Sequence, residues 1–467
     1  MTPAESDRRS FWDILWRYLP KGACYGDIHW QESRSLVVRL ESGAIEQAAQ
    51  TQDREAAWRC LKTPKGPTLL FSASDAHPKT LAALIDRELF RASRKKQLSR
   101  PLPDLQWFRH EAADSVAGQT LDGKVRFLLD LDRRMRVLGG PNLRQVTAHY
   151  AEAQTTVVQW TSEGTLIGEE KMLVNLSLYV LAESGRMRQG AYESIGGAGG
   201  WELIERADLG ALADMVVRRA LGKLEASPAP AGEFPIVIAS SAGGTFLHEA
   251  VGHALEADAV LDGASPYFAG RLGRRVAAAG VTIVDDPTLP GARGSYRFDD
   301  EGVAARPTIL VEDGILKDFL FDRAGGFRAG RASNGHGRRE APGNRPLPRM
   351  SNLFLKPGAD NPEQIIGAVA DGMLVTRMGG GEVDTATGQF MFEVEEGWRI
   401  KNGRLAGMIR DANLLGGGPE ALRRISRIGR DLGWAVGTCG KGGQRVPVSD
   451  GLPTILIDKL LVGGNAK

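Results

Sequence analysis

Cysteine is scarce in this chain, with only Cys24, Cys60 and Cys439 among 467 residues. Three thiols so far apart in sequence exclude a disulfide framework and favour a reducing compartment, so a cytoplasmic protein is expected. Long apolar runs are missing as well. No segment reaches the ~20 apolar residues that cross a bilayer, and residues 1–17 lack the apolar block of a signal peptide, so no membrane association is expected. Nor does charge of one sign dominate. Lys plus Arg number 59 against 57 Asp plus Glu, which leaves no net field to draw in nucleic acid or an anionic membrane. The densest basic run, residues 91–100, falls in a predicted amphipathic helix with Leu81, Leu84, Ile85 and Leu89 and reads as its solvated face.

Apolar residues at 42% and charged residues at 25% describe an ordinary globular chain. Its length exceeds what one hydrophobic core usually fills, so two domains are predicted. The first spans residues 1–226. It opens on a short helix, then a hairpin about Glu41, Ser42 and Gly43 with apolar alternation at Leu36, Val38 and Leu40. Helices follow near 79–98. Residues 146–195 read as an antiparallel meander turning at 162–164 and 184–186, and residues 207–224 as an amphipathic helix. The Pro-rich stretch 227–232 is a stiff connector.

The second domain spans residues 233–467. A buried strand over 235–240 leads to a Gly243-Gly244 turn and to a helix with Thr245 as N-cap. Short strands between glycine-rich segments then suggest a curled antiparallel β-sheet. The glycine triplets 379–381 and 416–418 lack the lysine and hydroxyl spacing of a phosphate cradle, and are read as turns or close backbone approaches. The fold class is α+β: an N-terminal α/β domain, then a β-dominated domain carrying the helix with the informative motif.

That motif is residues 248–253, His-Glu-Ala-Val-Gly-His. Two imidazoles suit zinc, and a carboxylate beside them can take a proton from water acidified by the ion. His248 and His253 are therefore candidate metal ligands and Glu249 a candidate general base. Five-residue spacing, however, separates the imidazoles by about 140° around a straight α-helix. The spacing predicts a π-type turn, or a helix opened at Gly252, to bring both to one ion.

A catalytic zinc also needs a third protein ligand. Glu256 and Asp258 lie nearby in sequence. Cys439 lies far away, in a polar glycine-rich loop (437–443) where a cysteine has no evident packing purpose and a thiolate would bind strongly. Cys24 and Cys60 read as small buried residues instead. His336, within 334–340, reads as a solvated loop histidine, with a ligand or transition-state donor as the alternative.

At these segments the chain resembles the TldD/PmbA family of metallopeptidases, and its catalytic TldD branch in particular. The resemblance runs through residues 246–256 (FLHEAVGHALE), 284–291 (VDDPTLPG), 299–302 (DDEG), 334–340 (NGHGRRE), 348–352 (PRMSN) and 437–448 (GTCGKGGQRVPV). It implies a zinc site of His248, His253 and Cys439 with Glu249 catalytic, and it leaves His336 outside the metal site. It weakens before about Gly123: residues 53–61 stand where the family has a glycine- and valine-rich strand.

What the resemblance implies is a peptidase for unfolded or flexible peptides, including modified-peptide precursors and leader segments. It also implies a dimer with a related metal-lacking PmbA/TldE-type subunit, or a homodimer. Arg338 and Arg339 are candidate anchors for a substrate carboxylate. Two rival readings share the same residues. A non-catalytic peptide-binding scaffold needs no base at 249, and an amidase acting on a specialised metabolite would use identical ligands.

Overall fold

The computed structural model describes residues 2–63, 68–89, 100–110, 119–384 and 386–464. After helix α1 (Glu5–Tyr18), strands β1 (Tyr25–Glu41) and β2 (Ala44–Leu61) form the expected hairpin. Ser42 and Gly43 both take positive φ, 49° and 83°, which matches a two-residue turn to the strands' right-handed twist. Strand β3 (Thr68–Ala73), helix α2 (Pro78–Leu89), strand β4 (Leu105–Arg109) and helix α3 (Leu121–Gly139) follow. The meander is β5 (Leu143–Thr161), β6 (Leu166–Ser184) and β7 (Met187–Ala198), closed by helices α4 (Trp201–Arg206) and α5 (Leu209–Glu225).

These seven strands make one sheet in the order β3-β2-β1-β5-β6, with β4 and β7 sharing the far edge of β6. Side-chain alternation assigns its faces. Leu36, Val38 and Leu40 pack with Val146, Tyr150 and Val174 beneath α3 and α5, while Ile28, Trp58 and Trp160 pack beneath α1 and α2. All of these point to one side. The opposite face is polar and carries the cross-strand row Ser33, Thr155 and Lys171.

Residues 53–61, unlike the family in type, nevertheless complete β2, because Ala56, Trp58 and Cys60 bury against the helices. Cys24, expected to be buried, is exposed. The predicted helix near 79–98 is described as far as Leu89, and positions 91–99 of the basic run lie outside the described residues.

The C-terminal half holds two larger sheets. Five strands of the first form a closed ring: Gly232–Ile238, Asp371–Asp384, Gln389–Lys401, Ala412–Gly417 and Ile455–Gly464. The ring closes because Asp371–Asp384 pairs on both sides, and the curled sheet encloses Met373, Val375, Phe390 and Phe392. Pairing is mainly antiparallel, with Gly232–Ile238 parallel to Asp371–Asp384. A six-stranded sheet ends in the order Asn352–Leu355, Gln444–Leu452, Gly433–Lys441.

The first glycine triplet is not a turn. It lies within strand Asp371–Asp384, where the register shifts and a Cβ on Gly381 would meet the Phe392 ring at 2.0 Å. Gly418 is a close backbone approach, since a Cβ there would lie 1.9 Å from the Ala250 carbonyl. Among the described residues no helix is long and apolar enough to cross a membrane.

Buried charge joins the two halves. Arg59 pairs with Asp27 and, at 2.6 Å, with Glu301, Tyr25 Oη donates to the Glu301 carbonyl at 2.7 Å, and Gln159 Nε2 donates to the Asp299 carbonyl at 2.9 Å.

Candidate metal centre

The motif helix begins at Thr245, so Thr245 is its first residue and Gly244 the N-cap, without a side-chain cap. A tertiary contact fixes the start of the helix: Gly244 N–H donates to the Asp450 carbonyl at 3.1 Å, and a Cβ at 244 would strike that backbone at 2.6 Å. Phe246 wedges into the closed sheet against Phe390 and Phe392, with ring centroids 5.6 and 6.0 Å away.

His248–Gly252 is a π turn, in which the His253 N–H donates to the carbonyl of His248, five residues back. The extra residue in the turn absorbs the angular excess of the spacing and sets the two imidazoles 5.0 Å apart at 85°. Gly252 itself keeps an ordinary helical conformation, φ −57° and ψ −52°. Its missing side chain serves packing instead, because a Cβ would sit 2.1 Å from Met350 Sδ.

Cys439 stands on strand Gly433–Lys441, not in an irregular loop. Gly442 and Gly443, both at positive φ, turn that strand into Gln444–Leu452, with Cys439 opposite Val446. The thiol reaches His248 Nε2 at 3.2 Å and His253 Nε2 at 3.5 Å. The three donor atoms lie within 4.8 Å of one another. Each imidazole is held from behind at Nδ1, His248 by Asp450 Oδ1 at 2.8 Å and His253 by Glu256 Oε2 at 3.0 Å. Lys441 in turn bridges Glu256 at 2.8 Å and Asp258 at 2.7 Å. The two acidic alternatives for a third ligand therefore stand behind the cluster.

Electrostatics follow from these contacts. Burial raises the Cys439 thiol, but hydrogen bonds from the two imidazoles outweigh it and bring the pKa down to about 6. Burial lowers His253, yet the Glu256 carboxylate lifts it to about 9. His248 is likewise depressed by burial and raised well above its ordinary value by Asp450. Glu256, despite burial, is pulled down to about 2 by Lys441 and His253.

Two nitrogens and a thiolate, oriented by carboxylates, are a donor set that suits a divalent metal ion. Glu249 stands beside them. Its Oε2 lies 4.0 Å from His253 Nε2, the side chain is 27% exposed, and it lines a cleft of about 580 Å³ with Glu382 and Lys441.

The structure keeps other candidates away from the cluster. His336 is fully buried, not solvated, with Nε2 3.1 Å from Asp285 and Nδ1 3.2 Å from Asn334. Arg338 and Arg339 are buried and do not line the cleft. Arg338 donates to the carbonyls of Met350 and Pro447 at 2.5 and 2.8 Å, and Arg339 to that of Asp300 at 2.6 Å.

Residues 114–224 match the PmbA/TldA metallopeptidase central domain, and residues 231–464 match the C-terminal domain of the same family. The chain belongs to the TldD/PmbA family. A TldD/PmbA relative from Buchnera aphidicola, a metalloprotease TldD homolog, is 32% identical over 94% of this chain and 92% of its own. A Methanothermobacter thermautotrophicus metalloprotease is 41% identical over 68% of this chain and 69% of its own. The solved structure of TldE from Thermococcus kodakarensis superposes with a TM-score of 0.74 at 18% identity, over 95% of this chain and 98% of that one. At that identity the likeness concerns the fold.

Asp450 is the member of this TldD/PmbA site that sequence reasoning missed. Strand alternation could have found it: Asp450 pairs with Ala435, four residues before Cys439, and so shares the thiol's face. Asp450→Ala is expected to weaken metal affinity about 10–100-fold, as loss of a carboxylate that orients a ligand usually does; competition against a chromogenic chelator measures it. Metal uptake is also expected to release protons. His253 holds one until about pH 9 while Cys439 is already a thiolate above about 6, so affinity rises between these values, about tenfold per pH unit for each proton displaced. Calorimetry in buffers of different ionisation enthalpy counts those protons, and a pH-independent affinity would contradict the assignment.

Proposed function

We propose that this chain is the metal-bearing, TldD-branch member of its family, a cytoplasmic zinc peptidase acting on unfolded or flexible peptides. The convergence of His248 Nε2, His253 Nε2 and the Cys439 thiol beside Glu249 in an open cleft carries the reading. These three residues would hold the ion, and a mixed imidazole–thiolate set favours zinc over hard, oxygen-seeking cations. When bound, the ion supplies Lewis-acid polarisation of the scissile carbonyl and acidifies water.

The remaining steps belong to the chain. Glu249, exposed to the cleft, accepts a proton from the attacking water and returns it to the leaving amine. Asp450 and Glu256 fix the ring orientations, so neither imidazole turns away when an extended substrate arrives. Strand Gly433–Lys441 ends its sheet, with no strand on its outer side among the described residues. A peptide adding there would be read through its backbone, a few residues from Cys439. In this reading residues 1–226 and 233–467 act as two domains.

The proposed partner is a metal-lacking TldE-type subunit, with a second copy of this chain as the alternative. Its support is an exposed apolar row across three neighbouring strands, Met391, Leu415 and Leu461, of which Met391 and Leu461 are each 47% exposed.

Metal analysis and cleavage of an unstructured peptide, by the chain alone and with a TldE-type subunit, test the proposal. One zinc per chain is expected, with cleavage lost to a chelator and restored by zinc, and Cys439→Ala is expected to lose most of the metal. A zinc-loaded chain that leaves such peptides intact in the partner's presence would overturn the reading.

A further inference from the structure

A second cavity, of about 330 Å³, is lined by the same two strands that line the metal cleft. Residues 377–380 and 435–436 border the cavity, while Glu382, Val383, Gly440 and Lys441 border the cleft. Strands Asp371–Asp384 and Gly433–Lys441 therefore pass in the same sense from cavity to cleft, with Cys439 between the two along its own strand. The motif helix follows suit: Thr245 lines the cavity, and Glu249, one turn on, lines the cleft. Both strands have a free edge here among the described residues. Nothing pairs outside Gly433–Lys441, and Gly232–Ile238 pairs with Asp371–Asp384 only at 373–375.

Two glycines in these walls are not required by the chain itself. Among the described residues, only Gly367, Gly380 and Gly440 combine an ordinary φ with no atom within 4 Å of where a Cβ would stand. Gly380 borders the cavity and Gly440 the cleft, one on each strand, and both are exposed. Glycine weakens the interior of a strand, and one that neither conformation nor packing demands marks the close approach of a ligand or another backbone.

The backbone is also shaped at this point. Met378 pairs with Val394 and Gly381 with Phe392, so Gly379 and Gly380 stand opposite the single residue Glu393. Such a bulge takes a residue out of the ladder and leaves its backbone groups open to another chain. Each wall, from 377 to 383 and from 435 to 441, extends for about 20 Å at ~3.3 Å per residue, which is room for about six residues of extended peptide.

We infer that the cavity and the metal cleft are one channel for an extended peptide segment of about six residues, whose main chain passes against the bare backbone of Gly380 and Gly440. The inference rests on the peptidase reading and refines it. The substrate is a segment long enough to reach both sides of the metal centre, and the first glycine triplet gains a binding role that packing at Gly381 does not explain.

The test is calorimetric binding of end-blocked peptides of alternating serine and alanine, three and six residues long, to the zinc-loaded Glu249→Gln chain, in which cleavage does not intrude. The longer peptide is expected to bind about tenfold tighter, the size of one or two backbone hydrogen bonds. Gly380→Val is expected to reduce it to the level of the shorter one. Gly367→Val, at the bare glycine that lines neither opening, is expected to leave it unchanged. The melting temperature of Gly380→Val is expected to match or exceed that of the parent, since valine suits a strand and a Cβ meets nothing there. A lower melting temperature would mean that this glycine serves the fold, and would overturn the channel. Equal binding of the two lengths, no binding of either, or tight binding of the longer peptide that survives Gly380→Val would do the same. Failure of the peptidase reading shows separately, as absence of cleavage by the Glu249-containing chain while the dependence on length and on Gly380 persists.

Discussion

Glu249→Gln is expected to lower peptide cleavage by about 10²–10⁴-fold, the usual contribution of a positioned general base. The substitution keeps the shape of the side chain and removes its ability to accept a proton. Metal content is expected to stay the same, because the converging donors are two imidazoles and a thiol and Glu249 lies outside that set. Its place, 4.0 Å from His253 Nε2 and open to the cleft, suits proton exchange with water and not structural support. Paired measurements of bound zinc and turnover check the expectation. A zinc-loaded variant that cleaves normally would remove Glu249 from the mechanism.

The second large effect concerns stability. Arg59 is 1% exposed between Asp27 and Glu301, which are equally buried and come from different halves of the chain. Arg59→Met leaves two carboxylates without their shared cation, and breaking such a buried pair typically costs about 3–5 kcal/mol, a large part of a domain's ordinary stability. Burial raises the Asp27 carboxyl, but Arg59 and then Arg339 outweigh it and hold it below its usual value. Its contribution is therefore present above the unfolded value near ~3.9 and is lost as pH falls through the folded one. In the variant that lowering is weakened, so the deficit is expected to be greatest near neutrality and to shrink as acid protonates Asp27. Urea unfolding at several pH values tests both the size and the sign.

Local patterns carried much of the fold. The hairpin at Ser42-Gly43, the meander of β5 to β7 and helix α5 all rest on alternation, turn residues or helical apolar spacing, which act within a few positions. The π turn was legible for a similar reason, since five-residue spacing is incompatible with one helix face. What could not be read were distances between segments. Gly252 is needed because Met350 approaches from the segment just before strand Asn352–Leu355, and Thr245 is the first helical residue, not the cap, with Gly244 held against the Asp450 backbone. His336 stands among charged loop residues in sequence but is buried against Asp285. Cys439 drew attention as an unexplained thiol in a glycine-rich stretch, yet the same glycines concealed a hairpin, and with it the reason Asp450 is at hand.

That hairpin makes assembly of the site a matter of parity. Cys439 and Asp450 hang from opposite strands of one ladder, pinned by the Gly442-Gly443 turn. A slip of one residue in a strand sends its whole set of side chains to the other face. A one-residue error in either strand would thus turn the thiol away from the imidazoles or the carboxylate away from His248, and no such slip keeps both on the site's face. Chains with the wrong register would have little hold on metal, so retention on a metal-affinity support would sort correctly paired molecules from the rest without any assay of cleavage.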